Sequence, residues 1–177
     1  SLIVQNPSDL NLYYIFTIDD LYPGSYGLCY SVVSLQDGDG EVISKNNSIL
    51  KGVAGKVTGT LDCEGTGFWI VTHSLKKHSF YSFHVTSNGI NTTPVISTYI
   101  PNTPKQLDTM YSEYGWITIS HDRSKLAITP LFYDYADFSL DLFDFNAATG
   151  EVANCIGLGT GSPFSYLTYF SPDNTKL

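Results

Sequence analysis

SHDRSKL, at residues 120–126, recurs as SPDNTKL at residues 171–177, a shift of 51 positions that keeps Ser, Asp, Lys and Leu. A run of large residues precedes each copy, WITI at 116–119 and YLTYF at 166–170. Asp, Asn, Ser and Thr fold a chain back through side-chain to backbone hydrogen bonds, and the Leu begins a new strand. The stretch therefore predicts a strand, a tight turn and a second strand.

The same pattern has two diverged copies upstream. NPSD at 6–9 leads into YYIFT at 13–17, and DCEGTG at 62–67 leads into FWIVT at 68–72. Third strands are predicted at residues 28–33, 80–85 and 140–145. Turns with a glycine, which accepts the positive φ of short hairpins, follow at residues 37–40, 87–89 and 148–150. Fourth strands are predicted at residues 41–44, 90–97 and 151–156.

Each unit is thus a meander of four strands in about 50 to 58 residues, within the range of propeller blades. Large apolar residues occupy both faces of these strands, as in YYIF at 13–16, so the units must stack face to face. The predicted fold class is all-β, a partial β-propeller of four-stranded antiparallel blades. The approximate blades are 1–52, 53–104 and 105–162, with a further blade starting at 163–177. Prolines and glycines at 101, 104, 157, 159, 161 and 163 mark the joins.

The composition favours strands and argues against two kinds of partner. Apolar residues make up 42% and charged residues 15%, with 13 Tyr and 10 Phe, whose rings pack well across strands. The net charge is −8 and the longest basic run is the pair at 76–77, so no nucleic acid is expected, since phosphate binding needs clustered cations. Apolar runs fall far short of the roughly 20 residues that span a bilayer, so no membrane insertion is expected.

Seven segments, in this order, are typical of one protein family. They are SLIVQNP at 1–7, YYIFT at 13–17, GLCYSVV at 27–33, FWIVTHS at 68–74, FYSFHVTSNGINTTPV at 80–95, LDLFDFNAATGEV at 140–152 and YFSPDNTKL at 169–177. The set resembles the β-propeller (WD40-like) region of secreted gliding-motility-associated C-terminal-domain proteins of gliding bacteria. His121, at a position where proline is commoner, and the acidic link at 134–141 depart from the family pattern. The resemblance implies a secreted or cell-surface location, an interaction role and no family-wide catalytic residues.

The blade count predicts exposed edges. Three blades and part of a fourth cannot close a ring, because closed propellers have about four to eight blades. Unpaired strand edges and half-covered blade faces seek partners. Either the chain is a fragment of a longer protein or copies associate to complete the ring, and we expect a tendency to form a homo-oligomer through exposed blade edges.

Asp37, Asp39 and Glu41 place three carboxylates at alternate positions, as in the first half of a calcium loop. A full loop ends in a bidentate Glu at its twelfth position, where this chain has Ser48. A polar hairpin with glycines for backbone reasons is the favoured interpretation, and no metal is predicted.

The cysteines and histidines predict neither a disulfide framework nor a metal site. Cys29, Cys63 and Cys155 are odd in number and lack C-x-x-C spacing, so small buried side chains are expected, with their disulfide status left open. Of the four histidines, His73 and His84 are the pair that could be neighbours, but zinc needs three or four convergent ligands. Surface or rim positions are therefore expected for His73, His78, His84 and His121.

An acidic series suggests one catalytic alternative. Paired carboxylates cleave glycosides when they flank a sugar-binding cleft, and the candidate carboxylates are Asp134, Asp137, Asp141 and Asp144. Tyr133, Tyr135 and Phe138 lie among them as a surface on which sugars could stack. A solvated loop leading into a strand explains the same residues and is favoured.

The sequence therefore favours a non-enzymatic secreted or cell-surface interaction module that binds a protein or polysaccharide partner, without cofactor. The alternative is a propeller-type glycosidase or lyase with carboxylates near the propeller axis. Two convergent carboxylates at the axis would support the enzyme, whereas a face lined by aromatic residues would support binding.

Overall fold

A computed structural model describes residues 1–18, 27–75, 77–100, 114–131, 139–160 and 167–177. These residues form thirteen β-strands and no helix, so the predicted all-β class is confirmed for them. The strands form three antiparallel sheets. Nowhere in the described ranges is there a helix with the length and apolar character needed to cross a membrane.

The strands of the first and third sheets pair in chain order. The first sheet consists of β1 (Leu2–Asn6), β2 (Asp9–Ile18), β3 (Leu28–Ser34) and β4 (Glu41–Leu50). The third sheet consists of β10 (Tyr114–Ile119), β11 (Lys125–Leu131), β12 (Ser139–Phe145) and β13 (Val152–Thr160). Each is a four-stranded meander, as the sequence predicts.

The second sheet has a divided outer edge. It consists of β5 (Val53–Leu61), β6 (Phe68–Ser74), β7 (Ser79–Thr86), β8 (Gly89–Ile90) and β9 (Val95–Thr98). Both β8 and β9 pair with β7, so two short strands replace the single strand predicted at 90–97. Pro94 has no backbone N–H to donate, and Asn91 accepts a hydrogen bond from the Thr93 amide at 3.0 Å, which turns the chain between the two strands.

Two further expectations are wrong. β13 continues through Gly157, which pairs with Asp141 of β12, although a join between units was predicted there. The predicted strand at 166–170 is not formed by residues 167–170, and Tyr166 lies outside the described residues. Without a paired neighbour an extended run makes no ladder hydrogen bonds, so its sequence pattern alone does not produce a strand.

The two quoted turns make the same hydrogen bonds. Ser120 Oγ donates to Asp122 Oδ1 at 2.6 Å and accepts from the Lys125 amide at 2.9 Å. In the second copy Ser171 Oγ donates to Asp173 Oδ1 at 2.6 Å and accepts from the amide of residue 176 at 3.0 Å. The residue between Asp and Ser or Thr has positive φ in both turns, +63° at residue 123 and +57° at residue 174.

The second sheet is buried on both faces, as the two-sided apolar pattern predicts. One face packs on the first sheet through a core of Val4, Tyr14, Phe16, Leu28, Val53, Ile70, Phe83 and Val85. The other face packs on the third sheet through a core of Trp69, Val71, Phe80, Ile117, Leu126, Ile128, Phe143, Phe145 and Val152. Alternate residues of β6 belong to different cores, because successive side chains of a strand point to opposite faces.

Candidate functional site

The first strands of the three sheets meet at a cleft. β5 contacts β10 on one side and β1 and β2 on the other. A cleft of about 360 Å³ lies where they meet. Its described lining consists of Ser1, Leu2, Ile18, residues 55–59, residues 115–118 and Tyr169.

Two aromatic rings form one wall of this cleft. The rings of Trp116 and Tyr169 lie 5.7 Å apart and are tilted by 57°. Trp116 is half-buried and Tyr169 is 58% exposed, so both rings keep surface for a ligand. Thr129 Oγ1 accepts the Trp116 backbone N–H at 2.9 Å, which holds this part of β10 on β11. The sheet therefore holds the Trp116 part of the wall, and both rings remain open to solvent.

Glycines let the first strands approach one another. A Cβ at Gly59 would lie 2.7 Å from Leu2 Cδ2 and 2.9 Å from the Trp69 carbonyl oxygen, so this position of β5 accepts no side chain without movement. Gly115 of β10 has φ of +112°, a conformation that glycine adopts readily and other residues avoid. Gly59 therefore allows the close approach of β1 to β5 beside the cleft.

Behind the cleft, Lys56 extends from β5 into the interface between the second and third sheets. The residue is 3% exposed, and its Nζ lies 3.4 Å from the Thr129 carbonyl oxygen, which accepts its hydrogen bond. Burial lowers the pKa of Lys56 from 10.5 to about 7, because a desolvated ammonium is disfavoured. The buried amine therefore loses its proton far more readily than an exposed lysine does.

His73 and Tyr99 form a hydrogen-bonded pair in the same interface. His73 Nε2 lies 3.0 Å from the Tyr99 hydroxyl, and His73 is 3% exposed. Burial, followed by the charge of Lys56, lowers the pKa of His73 to about 3, so its ring is neutral near pH 7. Burial, followed by the charges of Asp141 and Cys155, raises the pKa of Tyr99. The expectation that His73 is a surface or rim residue is wrong.

Asp141 also faces this interface and is 2% exposed. It pairs in register with Ile128, a residue of the core between the second and third sheets. Asp144, three residues later on β12, instead bonds to Asn154 Nδ2 at 2.7 Å and to Lys125 at the surface. The structure therefore places these two acidic candidates apart. Asp134 and Asp137, with the aromatic residues among them, lie outside the described residues.

A second polar cluster lies at the interface between the second and third sheets, at the opposite end of β6. His84 Nε2 lies 3.1 Å from Asp62 Oδ2, and the Trp69 ring stacks on the His84 ring with centroids 4.2 Å apart. Burial raises the pKa of Asp62, but hydrogen bonds from His84, Gly67 and Thr66 outweigh it, so the pKa lies below its ordinary value. Because His84 pairs with Trp69 and His73 with Phe80, the two histidines are not neighbours.

The remaining candidates occupy simple structural positions. Asp37, Asp39 and Glu41 are exposed in or beside the β3–β4 hairpin, whose Gly38 and Gly40 have φ of +87° and +78°. The described residues contain no group of three or more His, Cys, Asp or Glu side chains able to hold a metal ion. No disulfide joins the three cysteines, and Cys29 is buried and Cys155 partly buried. Cys63 is exposed, although a buried side chain was expected. His121 is exposed, and His78 and His84 are partly buried.

Sequence reasoning did not select Lys56, Tyr99, Trp116 or Tyr169 as site residues. One signal was available for Lys56, a single charge within the strand sequence VAGKVTGTL, which otherwise carries small and apolar residues. The ring contact between Trp116 and Tyr169 joins residues 53 positions apart and follows only from the stacking of units.

Comparison with known proteins adds no relative from which a function could be transferred. The chain matches no family model, no curated protein and no solved structure.

Proposed function

We propose that the three sheets are blades of a partial β-propeller and that the protein is a non-enzymatic interaction module. Three features support this architecture. Each sheet is an antiparallel meander, the second sheet is covered on both faces, and the first strands of the sheets adjoin one another. In a propeller the first strand of each blade lines the central axis. The cleft would then lie at the axis.

The observation that carries the proposed function is the lining of this cleft. It combines two aromatic rings with threonine hydroxyls and backbone groups, and its described lining contains no carboxylate. Binding sites use this mixture, an apolar surface with a few polar groups that orient the ligand. A glycosidase would require two carboxylates facing one sugar. The described Asp141 and Asp144 do not provide such a pair.

The location and the partner are part of the same proposal. The resemblance to secreted propellers of gliding bacteria supports a secreted or cell-surface location and a protein or polysaccharide partner. Exposed apolar side chains on the edge strands of two sheets support self-association. They are Val42 and Ile43 on β4 and Ile156 and Leu158 on β13.

A binding screen tests the proposal. The purified chain is applied to immobilised polysaccharides and to bacterial surface proteins, while released sugar fragments are followed by mass spectrometry. We expect saturable binding without release of fragments. Cleavage of a polysaccharide by the chain, or binding that a bulky Thr58→Trp substitution in the cleft leaves unchanged, would contradict it.

Self-association is measured separately. Light scattering over a concentration series should show a mass that rises above that of one chain. A strictly monomeric species at high concentration would remove the homo-oligomer from the proposal without affecting the cleft.

A further inference from the structure

We propose that the cleft binds an uncharged polysaccharide, with Trp116 and Tyr169 as the surface on which its sugar rings stack. This inference rests on the proposed function and specifies the ligand of the same site. It is carried by the size of the cleft, the chemistry of its wall and its charge.

The size of the cleft favours a chain of sugars over a protein surface. A volume of about 360 Å³ is near the lower limit for small-molecule sites and admits on the order of one or two sugar rings. A stable protein interface buries about 800 Å² on each partner, far more than the walls of such a cleft offer. A protein partner would need a surface outside it.

The wall matches the two-sided chemistry of a sugar. One face of a pyranose ring carries C–H groups that pack on an aromatic ring, and its edge carries hydroxyls that need hydrogen-bond partners. Trp116 and Tyr169, inclined to each other by 57°, offer two ring surfaces to successive sugars. Thr118, two residues after Trp116 on the same face of β10, lines the cleft, and so does Thr58 of β5.

The charges favour an uncharged ligand. The chain carries a net charge of −8, which repels polyanions such as polyuronates. Lys56 is the lysine in the described lining, but its ammonium is directed to the Thr129 carbonyl oxygen between the sheets. A carboxylated sugar would therefore meet the negative field of the protein, while the ammonium of the lysine in the described lining donates to the Thr129 carbonyl oxygen.

The two tryptophans provide a direct optical test. Trp69 is 4% exposed between the second and third sheets, whereas Trp116 is half-buried at the cleft. The chain is titrated with uncharged oligosaccharides (fragments of β-glucan, mannan, xylan and chitin) and with oligomers of alginate and polygalacturonate. At least one uncharged oligosaccharide should shift the tryptophan emission and protect it from acrylamide. Calorimetry on the same samples gives the affinity.

Variants identify the site. Trp116→Ala should lower the affinity for that oligosaccharide at least tenfold, and Tyr169→Ala about three- to tenfold. Trp116→Phe should retain binding by calorimetry but abolish the fluorescence change, a result that loss of folding would not produce. Tyr13→Ala, a half-buried tyrosine of β2 outside the cleft lining, is the matched control and should bind as the natural chain does.

The outcomes separate the two proposals. Binding only to the acidic oligomers, or binding to an uncharged oligosaccharide that Trp116→Ala and Tyr169→Ala leave intact, overturns this inference. Binding only to a surface protein, blocked by Thr58→Trp, also overturns it but leaves the proposed interaction module standing. Hydrolysis of the oligosaccharide contradicts the proposed function instead.

Discussion

The two interfaces of the second sheet differ in chemistry although they are similar in apolar packing. Towards the first sheet the core is apolar, and its polar pair, Asn6 with Tyr14, is neutral and hydrogen-bonded at 3.0 Å. Towards the third sheet an equally buried core is flanked by the ionisable side chains of Lys56, His73 and Asp141. Burying such groups opposes folding unless they are neutral or well paired. The interface between the second and third sheets (the second interface) should therefore make stability depend on pH more than the interface between the first and second sheets (the first interface).

The largest expected effect tests whether the apolar parts are equivalent. Phe80, fully buried with its ring 4.9 Å from Phe143, belongs to the second interface, and Phe16, also fully buried, belongs to the first. Phe80→Ala and Phe16→Ala should each lower the free energy of unfolding by about 3–5 kcal/mol, since each leaves a large cavity. Urea denaturation measures both. A loss below about 1 kcal/mol for either variant would show that its interface is not formed in solution.

The next effect concerns the charge in the second interface. Lys56→Met keeps an unbranched side chain and removes the buried amine, so it should raise the free energy of unfolding at pH 7 by about 1–4 kcal/mol. Leu10→Met, on a residue 71% exposed, is the control and should change stability by less than about 0.5 kcal/mol. A marked destabilisation by Lys56→Met would mean that the hydrogen bond to the Thr129 carbonyl outweighs desolvation.

The pH dependence of the free energy of unfolding tests the same buried amine, because the direction of the change follows from its pKa. The pKa of Lys56 is about 7 in the folded chain and 10.5 as an ordinary lysine, so between these values the unfolded chain binds more protons. Stability should therefore rise with pH across this window, by at most about 1.4 kcal/mol per pH unit. The Lys56→Met variant should lose this rise. Urea midpoints at pH 7, 8 and 9 for both chains decide the matter.

Lys56 also illustrates which features the sequence could predict. The third strands and the glycine turns were predictable because alternation and positive φ are properties of a few neighbouring residues. The burial of Lys56 was not, because the carbonyl oxygen that accepts its hydrogen bond belongs to a residue 73 positions away on another sheet. The cleft wall is of the same kind, since Trp116 and Tyr169 meet only after the units stack. Periodicity in the sequence therefore does not predict the contacts between units.

A smaller effect is expected at the other end of the second interface. Asp62→Ala removes acceptors for His84 and for the Thr66 amide, and should lower the free energy of unfolding by about 1–3 kcal/mol. The pKa of Asp62 is lowered in the folded chain, so its stabilisation is present above its ordinary pKa of 3.8 and is lost as the pH falls. The difference in the free energy of unfolding between the natural chain and Asp62→Ala should therefore narrow below about pH 3.8. Asp37→Ala, in the exposed β3–β4 hairpin, should show neither effect.

The smallest expected effect comes from Ser82 of β7, which faces the third sheet. Its hydroxyl is buried and makes no hydrogen bond within the described part of the chain. Removing a buried hydroxyl without a partner relieves its desolvation, so Ser82→Ala should leave the free energy of unfolding unchanged or raise it by up to about 1 kcal/mol. Ser97→Ala is the matched comparison, because its buried Oγ accepts the Val152 amide at 2.9 Å and its loss should destabilise by about 1–3 kcal/mol. If Ser82→Ala destabilised as much as Ser97→Ala, the Ser82 hydroxyl would have a hydrogen-bond partner in solution. The buried polar groups on this face of the second sheet would then make more hydrogen bonds than the structure shows.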